Sequence, residues 1–257
     1  MKKYKPIIIV AGEPNSIFLE IFFKAINSTK FKSPLILVAS KKLLLLQMKF
    51  LNFKKKIKII NLQNIAESNL DNKTINLINI DYSTKKAFEK ISPKSNSYIK
   101  KSFEEAFRII KKGYSYKFIN GPISKKNFLN KKFLGITEYI SKKFSVQKNA
   151  MLIFNKNLSV CPLTTHLPIK NVTKSINKKK IYDKAFLIKQ FYKKYLNRNP
   201  KIAILGLNPH CETTSKVSEE KTIIEPAIKN LKKKNYKIYG PYPADTIFLK
   251  KNREKFD

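Results

Sequence analysis

Two histidines, His166 and His210, are the only imidazoles in a chain of 257 residues. Each stands in a polar, proline-containing segment that directly follows a stretch patterned as a β-strand: Thr164-Thr165-His166-Leu167-Pro168 and Asn208-Pro209-His210. A single histidine is more often a packed or exposed bystander, but two at equivalent places after strands point to a site. Neutral imidazole suits Zn²⁺ and similar divalent ions. A catalytic metal site commonly takes three protein ligands and keeps one position open, so two histidines are one ligand short. Asp245 could supply the third, or a group outside this chain. Two more segments of the same kind, Gly12-Glu13-Pro14-Asn15-Ser16 and Gly121-Pro122-Ile123-Ser124-Lys125, also follow strand-like stretches. In open α/β folds ligands gather beyond the carboxyl ends of strands, and polar loops on a rigid scaffold carry function.

The elements that must position these loops alternate in type. Short apolar runs at 7–11, 35–39, 57–62, 75–80, 116–120 and 201–205 read as strands, with a short one at 237–239. Amphipathic spacing predicts helices over 17–26, 98–111, 137–144, 181–195 and 218–233; in 98–111, Phe103, Ala106, Phe107 and Ile110 fall on one face. Residues 151–154 and 158–164 read as adjacent strands joined by the Asn155-Lys156-Asn157 turn, and Pro168 reads as a helix start. Strands alternating with helices predict an α/β fold with a mainly parallel core.

Several function classes are unsupported. Glycine is scarce, six in all, and neither a G-x-G-x-x-G nor a Walker loop occurs, nor a serine nucleophile elbow. Cys161 and Cys211 make no disulfide framework and no C-x-x-C pair. The net charge of +37 invites a nucleic-acid partner. Of the 54 basic residues, however, only Arg108, Arg198 and Arg253 are arginine, and the lysines are dispersed. Base readout and bidentate phosphate clamps favour arginine. With isoleucine and asparagine also abundant, the bias reads as compositional, and no specific nucleic-acid partner is expected. No apolar run approaches the roughly 20 residues of a membrane helix, and the apolar run after Met1 is too short for a signal-peptide core. A cytoplasmic protein without membrane association is expected.

Taken together, the motifs resemble one family, the 4-hydroxythreonine-4-phosphate dehydrogenases. The segment 12–20 resembles its opening GDPAGIGPE; Gly121-Pro122-Ile123-Ser124-Lys125 resembles its P-x-N/S-K element; Gly135-Ile136-Thr137-Glu138-Tyr139 resembles GHTEF. Thr164 to Pro168 match TTHLP, Gly206-Leu207-Asn208-Pro209-His210 match GLNPH, and Glu219-Glu220 match the acidic pair that follows. Gly240 to Phe248 match GPxPADTxF. The last three motifs together are specific, and the resemblance spans essentially the whole chain.

The resemblance implies a two-domain α/β fold like the isocitrate and isopropylmalate dehydrogenases, with domains at 1–122 and 123–257, the second carrying the histidines and a dimer interface. It implies NAD as cofactor, a divalent metal (Zn, Mg or Co), and a homodimer with the active site at the interface. The implied reaction oxidises a small phosphate substrate, 4-phosphooxy-L-threonine, and decarboxylates the product to 3-amino-2-oxopropyl phosphate in vitamin B6 biosynthesis. Carried over by motif, His166 and His210 are metal ligands, Thr137 contacts the substrate phosphate, Asp245 orients substrate or metal, and Lys125 is a further catalytic candidate. Three departures stand out. The GHTEF histidine is Ile136; the glycine-rich stretch after NPH is Cys211-Glu212-Thr213-Thr214-Ser215; and the chain ends at Asp257, short of the family's YHDQG segment with its third metal histidine. A C-terminally truncated member, a poor catalyst alone, is therefore expected. The alternatives are a paralogue acting on a related four-carbon phosphate, an inactive short form acting as a subunit, and a basic nucleic-acid binder.

Overall fold

The computed structural model describes residues 4–62, 65, 68–129, 133, 135–211 and 217–257. It consists of two compact units, 1–136 and 137–257.

The first unit is built on a five-stranded parallel sheet in the order β3-β4-β2-β1-β5. The strands are β1 (Ile7–Val10), β2 (Leu35–Ala39), β3 (Ile57–Ile59), β4 (Ile75–Asn79) and β5 (Lys117–Asn120). Every residue of β2 is buried, as a central parallel strand covered on both faces requires. Helices α1 (Phe18–Ser28) and α2 (Lys41–Phe50) cover the face that carries Ile9, Leu35, Leu37 and Ile75, burying Phe22, Phe23, Leu43 and Leu44 against it. Successive strand residues point to opposite faces, and α3 (Asn96–Lys111) packs on β1 and β2 with Ile99, Phe103, Ala106 and Phe107 inside.

Chain order reverses at β1: β2 lies on one side and β5 on the other, in register Ile8↔Ile36 and Ile8↔Phe118. Just past this switch the backbones after β1 and β5 nearly touch. Gly121 N–H donates to Val10 O (2.7 Å) and Glu13 N–H to Pro122 O (2.8 Å). A Cβ on Gly121 would overlap the Ala11 carbonyl oxygen, so only glycine allows this approach. The same edge is cross-tied. Gln47 of α2 donates its amide to Pro14 O (3.0 Å) and Ala87 O (2.8 Å), Asn15 Oδ1 accepts from Glu89 N (2.9 Å), and Ser95 Oγ donates to Glu13 Oε2 (2.9 Å).

The second unit contains α4 (Ile136–Lys143, which crosses the division), α5 (Val172–Ser175), α6 (Lys178–Leu196), β6 (Ile202–Leu205), α7 (Glu225–Lys233), β7 (Ile238–Tyr242) and α8 (Lys250–Arg253). β6 and β7 pair in parallel with a register shift between Ala203 and Leu205. α6 and α7 pack together on this pair through Ile181, Ala185, Ala227, Ile228, Leu231 and Ile238. Among the described residues no helix is long and apolar enough to cross a membrane.

Two details differ from the sequence reading. Helix α2 is not predicted: its Leu43-Leu44-Leu45-Leu46 run blurs the helical period, and the Ser40 cap, whose Oγ accepts from Leu43 N, is the missed signal. The strands expected at 151–154 and 158–164 reduce to one antiparallel bridge, Ile153↔Val160. The two compact units divide after Ile136. Phe128 stacks on Phe103 of α3, and Asn96 donates to Asn127 O, which holds 123–129 to the first unit.

Candidate functional site

The second unit brings together the loops after β6 and β7. Gly206 N–H donates to Tyr242 O (3.0 Å) and Ala244 N–H to Pro209 O (2.8 Å). These two backbone bonds place Asp245 beside His210, with the Asp245 carboxylate 3.0 Å from His210 Nδ1. A carboxylate on Nδ1 holds the proton there and leaves Nε2 as the free lone pair; this is how proteins commonly present an imidazole to a divalent ion. The His210 side chain is 74% exposed, so Nε2 is accessible.

Glu220, on the π-helical turn Glu220–Ile224 that leads into α7, is 2% exposed and lies behind the His210 loop. Its Oε1 accepts from the backbone N–H of Leu207 and of Asn208, both at 2.9 Å, and its two oxygens also receive the Asn208 amide at 3.2–3.3 Å. Burial alone would raise this carboxyl, but the N–H groups of Asn208 and Leu207 outweigh burial and hold it below the usual range. In the sequence Glu220 shows only as half of an acidic pair; its contact with the loop is invisible there.

His166 stands on the exposed loop after Val160, with φ of +56°, a left-handed backbone uncommon outside glycine. Its loop meets the other two around an apolar cavity of about 390 Å³, which Thr164, Leu207, Ile247 and Phe248 all line. Cys161 also faces this cavity; burial pushes its thiol up, with Lys184 opposing. Thr137 lies in the first turn of α4, half-buried, and Lys125 is exposed at the start of the π-helical turn Lys125–Leu129 in the first unit. Ile136 also lies in that first turn of α4, an apolar group in place of a hydrogen-bonding one. The structure thus joins His210 to Asp245 directly, while the apolar cavity is lined by neighbours of the candidate residues, Thr164, Leu207 and Ile247, and not by His166, His210 or Asp245 themselves. Among the described residues, no three His, Cys, Asp or Glu side chains gather into one cluster. Among the described residues His210 offers one imidazole with Asp245 as its hydrogen-bond partner, which alone does not make the ligand set of a divalent ion.

The sequence profile described as "Pyridoxal phosphate biosynthetic protein PdxA" matches residues 30–257. The chain is 32% identical over 246 residues to a 4-hydroxythreonine-4-phosphate dehydrogenase of Sulfurihydrogenibium, covering 93% of this chain and 74% of that protein. It is 28% identical to the Aquifex aeolicus protein of the same name, covering 97% and 78%. A crystal structure of 4-hydroxythreonine-4-phosphate dehydrogenase from Klebsiella pneumoniae superposes with a TM-score of 0.84 at 22% identity, covering 98% of this chain and 79% of that one. The α/β fold with a parallel-strand core is the fold of these solved structures. The match over 30–257 and the 32% identity make the chain a member of the PdxA family of pyridoxal phosphate biosynthetic proteins.

Proposed function

We propose that this protein is a 4-hydroxythreonine-4-phosphate dehydrogenase that oxidises 4-phosphooxy-L-threonine with NAD⁺ and releases CO₂ to give 3-amino-2-oxopropyl phosphate, assisted by a divalent ion. The observation that carries the reading is the His210–Asp245 pair, built from the two loops that match the family's GLNPH and PADT motifs. A bound divalent ion would polarise the substrate hydroxyl and stabilise developing negative charge. Asp245 fixes the tautomer of His210, so Nε2 is the donor turned outward. His166 is the second imidazole. Thr137, whose hydroxyl sits in the first turn of α4, is the contact for the substrate phosphate, because free backbone N–H groups at a helix start favour an anion. Lys125 is a further catalytic candidate on the strength of its motif, Gly121-Pro122-Ile123-Ser124-Lys125. A homodimer with a shared active site belongs to this proposal.

Ile136 favours a second reading, a paralogue acting on a related four-carbon hydroxy-acid phosphate, since isoleucine offers no hydrogen bond where the family motif has histidine. One assay set separates the readings. NADH formation is followed with 4-phosphooxy-L-threonine and with threonate 4-phosphate, with and without Zn²⁺, Mg²⁺ or Co²⁺, for wild type and His210→Ala. Ion-dependent oxidation of the amino acid, slow in the 257-residue chain alone and lost in His210→Ala, is the expected result. Preference for the hydroxy acid selects the paralogue. Turnover indifferent to ions and to His210 overturns the metal reading.

A further inference from the structure

Strand β6 reads Ile-Ala-Ile-Leu, as apolar as the fully buried β2, yet all of its residues are only half-buried. Among the described residues it pairs with β7 alone, and a two-stranded pair is marginal by itself. Ile202 N–H donates to Lys237 O (2.8 Å) and Gly206 N–H to Tyr242 O (3.0 Å), both toward β7. Successive residues of a strand turn their backbone groups to alternate edges, so Lys201, Ala203 and Leu205 face away from β7. The apolar cavity of about 390 Å³ lies along that edge, and its other wall is the segment 158–164. Both 158–164 and 201–207 line it throughout. Val160 exchanges both backbone bonds with Ile153 (2.8 and 3.0 Å), so its neighbours Ser159 and Cys161 turn theirs to the opposite side.

One residue already spans the gap. Asp257 N–H donates to Lys201 O (3.1 Å), and Asp257 O accepts from Ser159 N–H (2.9 Å). The Asp257 carboxylate accepts from Lys201 N–H (2.8 Å) and pairs with Arg198 (2.9 Å). The two walls therefore stand at the spacing in which one backbone reaches hydrogen-bonding distance of both. The side chains between them are mainly apolar, among them Leu152, Val160, Ile181, Ile188 and Ile202.

From this geometry we propose that the cavity is a strand-acceptor slot, which takes one extended apolar segment of another polypeptide. The segment lies in line with Asp257, bonds to Ala203 and Leu205 on one edge and to Cys161 on the other, and buries its side chains against α6. At about 3.3 Å per residue, walls of this length hold about five to seven extended residues. A strand covered on both faces is apolar throughout instead of alternating, so the occupant is a run of Val, Ile and Leu. The apolar strands β1 to β5 are committed to the first sheet, so the segment comes from a separate chain. A compact apolar molecule could fill the volume, but it would leave the facing backbone groups of both walls without partners. The same walls run on into the loops of His166 and His210, so the occupant also sets the spacing of those loops.

The test uses the intact 257-residue chain and a synthetic acetylated peptide of about six Val, Ile and Leu residues. A lysine tail keeps the peptide soluble without attracting it to a chain of net charge +37. The control is the same peptide with every amide N-methylated, which keeps the apolar surface and removes the strand's donors. Amide hydrogen exchange at Ala203, Leu205 and Cys161 is expected to slow by at least about tenfold with the plain peptide, the equivalent of one net hydrogen bond each, and to stay unchanged with the control. Equal protection by both peptides marks an apolar pocket without strand pairing and overturns the proposal. Unprotected amides at saturating plain peptide overturn it as well. If the peptide-free chain already protects these amides and sediments as a dimer, a second copy supplies the strand, and the separate partner falls.

Discussion

Replacing Gly121 by alanine tests the claim that the loops after β1 and β5 are set by contact between their backbones. A Cβ at 121 would overlap Ala11 O, lie 2.8 Å from Ala11 C and 2.8 Å from the Phe18 ring. Two of these three neighbours are backbone atoms of the strand edge, which cannot rotate aside. To reach ordinary contact, the 121–122 segment must move by about 1 Å relative to β1, which breaks Gly121 N–H to Val10 O and Glu13 N–H to Pro122 O. Each buried group left unpaired costs about 1–3 kcal/mol, so a loss of roughly 3–5 kcal/mol follows. For a protein of this size, 1 kcal/mol corresponds to about 2–4 °C, so the melting temperature of the first unit should fall by on the order of 10 °C. Gly113→Ala is the internal control. Its φ is +76° but nothing lies within 4 Å of the added Cβ, so only the left-handed backbone is penalised, about 1–2 kcal/mol. Thermal unfolding by circular dichroism measures both. A Gly121→Ala protein melting within about 3 °C of wild type, or Gly113→Ala falling further than Gly121→Ala, would refute the argument.

Other expectations follow from the same unit. Burial raises the Glu13 carboxyl above its ordinary value, against opposing hydrogen bonds from Ser95 and the Asn15 backbone. A carboxyl raised on folding contributes its stability fully below its ordinary value and loses it as pH rises through the raised value. Glu13→Gln should therefore gain stability relative to wild type between about pH 4 and 7; denaturant midpoints at the two pH values measure this, and a difference constant with pH would sink it. Phe103 is fully buried and contacts Phe107, Phe118 and Phe128. Phe103→Ala should cost about 3–5 kcal/mol, read as a lowered denaturant midpoint; a loss below about 1 kcal/mol would mean the site collapses around the gap.

The first sheet was legible because its strands are short runs of Ile, Leu and Val between breakers, and because α3 keeps a clean apolar face. Helix α2 was not legible, because four consecutive leucines carry no periodic signal. The 151–164 segment has strand composition, yet it forms a single bridge: composition records a preference, and pairing needs a partner edge. At the candidate site, the residue types and their places after strands were readable. Their pairing was not. Nothing in the spacing of His210 and Asp245 shows that two backbone bonds between the loops set them 3.0 Å apart. Glu220 was hidden for the same reason, since a contact made by folding a turn back on itself leaves no period to detect. The compact units divide after Ile136, and the aromatic stack of Phe128 on Phe103 keeps 123–129 with the first unit.

The ties on the carboxyl edge of the first sheet have a mechanical consequence. Gln47 reaches from the middle of α2 to hold Pro14 and Ala87 with one amide, while Asn15 holds Glu89 and Glu13 holds Ser95. Three loops far apart in the chain are joined by members that run in different directions, as in a truss. A push on one loop is carried into the others and into the body of α2, instead of being absorbed where it is applied. That edge yields as one piece or not at all, and whatever meets it encounters a shape settled before contact.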